Sequence, residues 1–444
     1  MKLTRSLVVL RERSFARYLA AVTISQLGSG MATVALAFAV LEFGGATDLG
    51  IVLLGREIPV VVFLLLGGVF ADRLSRRTIM VGSDIAKGVA QVGSAALLFS
   101  GTANVWNIAA LQVVFGVAAA FSRPAQVGMV KDSVSDEHLQ EGNALLHLSS
   151  SVLQIVGPAL GAIVVALGSP ATAIAVDAAT FFVSAALIST MRLAPVARAA
   201  AKSVLADLHD GWREFTSRRW AVAMVASFGL FQLSYFPALL VLGPLVAKDQ
   251  LGGPAAWGFI LAVESAGSVI GGLFALRLRF TRILVASELF VLPAGLLLAA
   301  LAIPLPVPAI AAVALVTGIG FAIGDTLWIT ALQRNVPAHA LSRISSFDWF
   351  GSVALNPIGY ALIGPIAVAV GTTEALAVAA VLNMATCVGV VLLPSVQAIR
   401  AREPAGADLA EAPLEPFHDQ TTFQLGTQGP SAGSGGPPDP ISEP

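Results

Sequence analysis

Residues 67–78 read GGVFADRLSRRT, and an eight-residue echo, GGLFALRL, returns at 271–278. The first copy sets Asp72, Arg73, Arg76 and Arg77 within six positions of a 444-residue chain that is only 12% charged. Carried onward at an offset of 204, the repeat pairs Ile79 with Ile283, Ser83 with Ser287 and Asp84 with Glu288. At 202, Gly116 falls on Gly318, Val134 on Val336, Leu139 on Leu341 and Gly157 on Gly359. A same-orientation repeat of this length implies two equivalent bundles about an axis along the membrane normal, with a cavity between them.

The membrane follows from composition. Hydrophobic residues make up 56% of the chain and mean hydropathy is +0.82. A helix needs about 20 apolar residues to cross the hydrocarbon core, and backbone groups in lipid must be satisfied within helices or closed barrels. The apolar runs are too long for barrel strands and do not alternate, so the fold class is all-α and polytopic. Twelve runs are legible, at 16–42, 49–70, 78–99, 105–123, 142–167, 171–190, 220–242, 255–276, 282–302, 308–331, 344–366 and 373–394. The opening stretch lacks the pattern of a cleavable signal peptide.

With the N-terminus inside, 23 of the 26 Lys and Arg fall in the N-terminal arm, alternate loops and tail. Arg56 and Lys87 lie within spans and only Lys248 lies outside, which is the positive-inside pattern with both ends cytoplasmic. The reading divides the chain into a first six-helix bundle (1–190), a linker with an amphipathic helix (191–219), a second bundle (220–394) and a disordered tail (395–444). In the linker, Val204, Leu205, Leu208, Trp212 and Phe215 recur at helical spacing. The tail after Arg402 has seven acidic residues, no basic one, and abundant Pro, Gly and Ser.

On these residues the chain resembles the major facilitator superfamily over about 10–395. Gly68, Ala71, Asp72, Arg73, Arg76 and Arg77 match that family's loop 2–3 motif, while Phe70 and Ser75 depart from it. GPALGA (157–162), with Gly157, Pro158 and Gly161, resembles the Gly-Pro-x-x-Gly motif of its antiporters. Gln112 stands where an Arg is often found, so that Arg's proton-relay role does not carry over. LQRNVPAHALSRISSFDWFGS (332–352) is similar to the branch that includes the enterobactin exporter and macrolide-efflux-like proteins. The resemblance implies that Asp72 faces the N-terminal end of the eleventh span and latches a cytoplasmic gate. Leu276 replaces the Asp in the second copy, so the latch is expected on one side only.

Charges inside spans need partners or tasks. Asp84, Lys87, Glu288 and Asp348 sit near the cytoplasmic ends and read as gate and packing charges. Arg56 and Glu57 are adjacent, about 100° apart on a helix, and cannot simply pair. Glu264 and Glu57, then Asp325 and Asp177, are the candidates for proton coupling. Gln26 and Gln232, with Arg56, are candidates for lining the cavity. Gln154 and Asn383 fall mid-span as well, where polar groups line a cavity or bridge helices.

The reading expects a secondary transporter: a proton-coupled exporter of a lipophilic small molecule, drug or siderophore, working by alternating access as a monomer in the cell membrane. The alternatives are a uniporter or importer of a small metabolite, a membrane-embedded enzyme, a lipid-handling protein, or a receptor. No cofactor, metal or nucleic acid is expected. The His residues lack metal-ligand spacing, and no G-x-x-x-x-G-K-[ST] occurs to power a primary pump. GIGFAIG (318–324) lies inside a span and fits helix packing.

Overall fold

The computed structural model describes residues 8–71, 75–191, 211–303 and 305–400. Among them run twelve long helices and no strand. In the N-terminal half these are α1 (Arg13–Phe43), α2 (Ala46–Ala71), α3 (Arg76–Phe99), α4 (Val105–Ser133), α5 (Leu139–Leu167) and α6 (Pro170–Ser189). In the C-terminal half they are α7 (Arg219–Leu251), α8 (Pro254–Ala275), α9 (Ile283–Ala302), α10 (Val307–Asn335), α11 (Ala338–Val353, resuming as Asn356–Val370) and α12 (Thr372–Val391). The helices alternate in direction. The start of α1 and the end of α12 therefore share one face of the bundle, the terminal face, and the turns at 44–45, 168–169, 252–253 and 371 lie on the far face.

Ten of the helices are long and apolar enough to cross a membrane by themselves. α3 (24 residues) is long enough but carries charge and polar groups along its span. In α3 the usual pattern is inverted: Ser83, Asp84, Lys87, Gln91 and Ser94 are buried, while Ile85, Val89 and Val92 are exposed. The polar stripe recurs at three- and four-residue intervals and faces protein, as an intramembrane polar face must.

Helix starts follow local chemistry. Ser75 caps α3 by accepting from the Thr78 amide at 3.1 Å, and Asn104 and Asn107 form a reciprocal capping box at α4. On the terminal face, Glu12 accepts from the Ser135 amide at 3.0 Å and lies 2.9 Å from His138 Nδ1, tying the start of α1 to the α4–α5 connection. Burial raises the Glu12 pKa, but the bonds from His138 and Ser135 outweigh it and hold the carboxyl below its ordinary range.

Three boundaries differ from the sequence reading. The fourth helix does not stop at 123 but continues past Pro124 to Ser133, so Arg123 lies inside α4 and not in a loop. The seventh continues past 242 through two π-helical turns, Ala238–Leu242 and Ala247–Leu251, where Pro237 and Pro244 remove helix amides. The eleventh is broken at 354–355, just ahead of Pro357. Of the expected linker helix, 192–210 lie outside the described residues. Residues 211–216 are helical, and Phe215 is buried against Phe347 of α11 at 6.1 Å between ring centroids.

The glycines paired by the repeat make equivalent contacts. A Cβ at Gly116 would strike the Arg56 carbonyl, and one at Gly318 would strike the Glu264 carbonyl, so α2 meets α4 as α8 meets α10. Gly157 packs on Gly30 and Gly359 on the Leu233 carbonyl, so α5 meets α1 as α11 meets α7. Backbones approach this closely only where a side chain is missing.

Candidate functional site: the polar interior and the contact between halves

The halves meet tightly on the far face. Gly50 of α2 abuts the Tyr360 carbonyl of α11, and Gly364 of α11 abuts Thr47. Lys248 donates to the Leu41 carbonyl across the same face. Deeper in, a Cβ at Gly258 of α8 would collide with Ala162 and approach the Pro158 carbonyl to 2.9 Å. Gly161 in turn lies against Met31 of α1. GPALGA is thus the place where α5 touches both α1 and α8, and its small residues permit both contacts.

Inside the N-terminal half, Asp84 and Lys87 pair at 3.4 Å, both buried. Ser184 of α6 donates to Asp84 at 2.7 Å, and Lys87 donates to Ser122 of α4 at 3.0 Å. These charges therefore bolt α3 to α4 and α6. Asp177 of α6 accepts from Gln91 at 2.5 Å and from Ser29 of α1 at 3.5 Å. The Arg56 guanidinium lies 4.3 Å from the centre of the Phe115 ring, and Phe115 meets Phe181 edge-on at 5.7 Å. Lys87 sits 5.3 Å from the Phe181 ring centre, so two cations flank a pair of aromatic rings. Among the described residues Arg56 and Glu57 form no ion pair, with each other or with a third group.

The C-terminal half differs in kind. Tyr235 of α7 is fully buried and donates to Glu264 of α8 at 3.1 Å. Phe231, Phe236 and Phe321 pack round that phenol, with centroids 4.9, 5.2 and 5.4 Å away. Glu288 of α9 is buried within hydrogen-bonding reach of Cys387 and Ser227. Asp348 accepts from Trp328 Nε1 at 3.1 Å, which joins α11 to α10. Asp325, a lesser candidate for proton coupling, is exposed on α10. None of these four carboxylates has a cation partner among the described residues.

Gln26 accepts from Ser150 at 2.9 Å, a bridge from α1 to α5. Gln232 is buried with its Oε1 unpartnered, as are the Nε2 of Gln112 and both amide atoms of Asn383. Gln154 is exposed. In the loop motif, Arg76 donates to Asp132 at 2.7 Å and to the Gly128 carbonyl at 3.2 Å, and Arg77 donates to the Ser189 carbonyl. Gly68 falls on the α2 backbone, while Asp72 and Arg73 lie outside the described residues.

Sequence reasoning missed Tyr235, Gln91, Ser122 and Ser184, the direct partners of the buried charges. It also missed the contact of Arg123 with Trp349, 5.9 Å to the ring centre, which joins α4 to α11 across the halves. Depth of a lone Tyr or Gln within an apolar run was the available signal.

Two six-helix halves related by a repeat, meeting through glycine contacts and holding charge inside, define a transporter of the major facilitator class. The chain belongs to the transmembrane secretion effector family, whose profile matches residues 4–428. It is 28% identical to the multidrug efflux pump Tap of Mycolicibacterium fortuitum, covering 78% of this chain and 87% of that protein. Macrolide efflux protein A of Streptococcus pyogenes is 24% identical over 56% of this chain and 63% of its own length. The crystal structure of the nucleoside transporter NupG superposes with a TM-score of 0.67 at 11% identity, over 85% of this chain and 98% of that one, which shows the shared fold.

Proposed function

We propose that this protein exports a lipophilic small molecule in exchange for protons, by alternating access, as a monomer in the cell membrane with both termini cytoplasmic. The observation that carries the reading is the isolation of Glu264. It lies midway along α8, its one side-chain hydrogen-bond partner among the described residues is the phenol of Tyr235, and rings surround that phenol. Asp84 already has Lys87 beside it, so it needs no further counter-charge. Glu264 has none, and an unpaired carboxylate in an apolar wall is balanced either by a proton or by a passing cation. Glu57, Asp177 and Asp325 are the secondary candidates, with Gln26, Gln232 and Arg56 on the cavity wall.

In this reading 1–190 and 220–394 rock against each other, 191–219 connects them, and Asp72 latches the terminal face in the opposite state. The far-face contacts support an inward-facing arrangement once the termini are cytoplasmic. The efflux names of the relatives support the export direction.

The test is transport in proteoliposomes under an imposed pH gradient, with a lipophilic drug as substrate. Glu264→Gln keeps the shape and the bond to Tyr235 but cannot exchange a proton, so binding should persist while uphill accumulation is lost. If Glu264→Gln and Glu57→Gln, singly and together, still accumulate substrate uphill, neither residue couples protons. Transport by the wild type that ignores the gradient would instead make the protein a uniporter.

A further inference from the structure

The second copy of the loop motif has changed its chemistry. Aligned with 67–78, GGLFALRLRFTR (271–282) puts Leu276 for Asp72, Arg279 for Ser75, Phe280 for Arg76 and Arg282 for Thr78. In the first half Arg76 is held by Asp132, and at the repeat offset of 202 the counterpart of Asp132 is Arg334. The second half has therefore lost both acids and gained arginines. Arg277, Arg279 and Arg282 are all exposed, and none makes an ion pair among the described residues.

The last of these arginines, Arg282, lines a crevice of about 440 Å³ along the first two turns of α9. Phe280, Val285, Leu289 and Phe290 form its apolar lining, joined by Thr281 and Arg282. Phe280 meets Phe290 edge-on at 5.6 Å and closes one side, while Leu289 is 52% exposed along the crevice. From 282 to 290 the crevice runs about 12 Å along the helix. It starts at the first turn of α9, on the terminal face, and follows the helix inward.

We infer that the loop 276–282 and the crevice on α9 form a binding site for an anionic phospholipid, with the phosphate on the arginines and one acyl chain along the α9 crevice. Three exposed cations with no ion-pair partner among the described residues complement a negative headgroup, and the apolar walls exclude a small hydrophilic anion as the occupant. The site lies outside the cavity between the halves and is independent of what the protein transports.

Titration of the detergent-purified full-length protein with phosphatidylglycerol, followed by native mass spectrometry, tests the site, with phosphatidylcholine of the same acyl chains as comparison. The wild type should prefer phosphatidylglycerol. Arg282→Gln should weaken that binding about fivefold, and the triple Arg277→Gln/Arg279→Gln/Arg282→Gln on the order of a hundredfold, at the contribution of one basic side chain near an anionic surface. Arg11→Gln, remote on the N-terminal arm, should change nothing. Leu289→Trp fills the crevice and leaves every charge in place, so it should weaken both lipids. A wild type without preference, a triple variant that retains the preference, or a Leu289→Trp variant that binds like wild type would each overturn the proposal.

Discussion

Arg56 and Glu264 occupy the same helix crossing in the two halves: each presents its carbonyl to the glycine, Gly116 or Gly318, through which its helix meets the fourth of its set. The two contact positions carry opposite charge, although the repeat offset of 204 pairs Arg56 with Ile260 and Glu264 with Val60. On the N-terminal side the cation lies over Phe115, and on the C-terminal side the carboxylate accepts a hydrogen bond from the Tyr235 hydroxyl. The two halves share the crossing and differ in the charge beside it. Acids inside the first half come with Lys87 and Arg56 as neighbours, whereas among the described residues Glu264, Glu288 and Asp348 of the second half have neutral donors.

Wedging the far face should shift the conformational balance. A side chain at Gly364 would run into the Thr47 backbone. Gly364→Val should therefore disfavour the state described here by about 1–3 kcal/mol, the usual cost of overpacking. A balanced two-state transporter would then move several-fold or more toward a far-face-open arrangement. Spin-label distances across that face should lengthen, and unchanged distances would mean that this contact does not set the equilibrium.

Two glycines of the C-terminal half separate packing from propensity. Gly318→Ala places its methyl against the Glu264 carbonyl, while a Cβ at Gly272 meets nothing within 4 Å. The first should lower the unfolding midpoint in detergent. The second should leave it level or raise it slightly, because alanine favours a helix over glycine by about 1 kcal/mol. Equal effects at the two positions would contradict the close α8–α10 contact.

The Asp84–Lys87 pair should behave as a buried bolt. Lys87→Met strands Asp84 with Ser184 as its remaining donor, and loss of one partner of a buried pair costs about 3–5 kcal/mol. Asp84→Asn/Lys87→Met should recover much of that loss, so a double-mutant cycle on thermal stability should give strong coupling. Additive losses would show that the two side chains act separately.

Much of the fold was legible because lipid imposes a coarse rule: long apolar runs, basic loops and a repeat of small residues are all one-dimensional signals. Gly116 and Gly157 were matched to Gly318 and Gly359 by position alone, and the matched residues make matched contacts. The partners of the charges were hidden for the opposite reason. Gln91 reaches Asp177 across 86 residues and Ser184 reaches Asp84 across 100, so no local spacing announces either bond. Helix ends were blurred where polar residues continue a helix past its apolar run, as α4 does through Arg123 to Ser133.

The inverted face of α3 has a consequence for how the chain is made. Its buried stripe of Ser83, Asp84, Lys87, Gln91 and Ser94 leaves α3 too polar to partition into lipid on apolarity alone. The groups that satisfy that stripe, Ser122 on α4 and Asp177 and Ser184 on α6, are synthesised later. It follows that α3 cannot be released singly into the bilayer as it leaves the ribosome. It has to wait beside the insertion machinery until α4 and then α6 arrive, so the smallest unit that can settle in lipid is a group of helices.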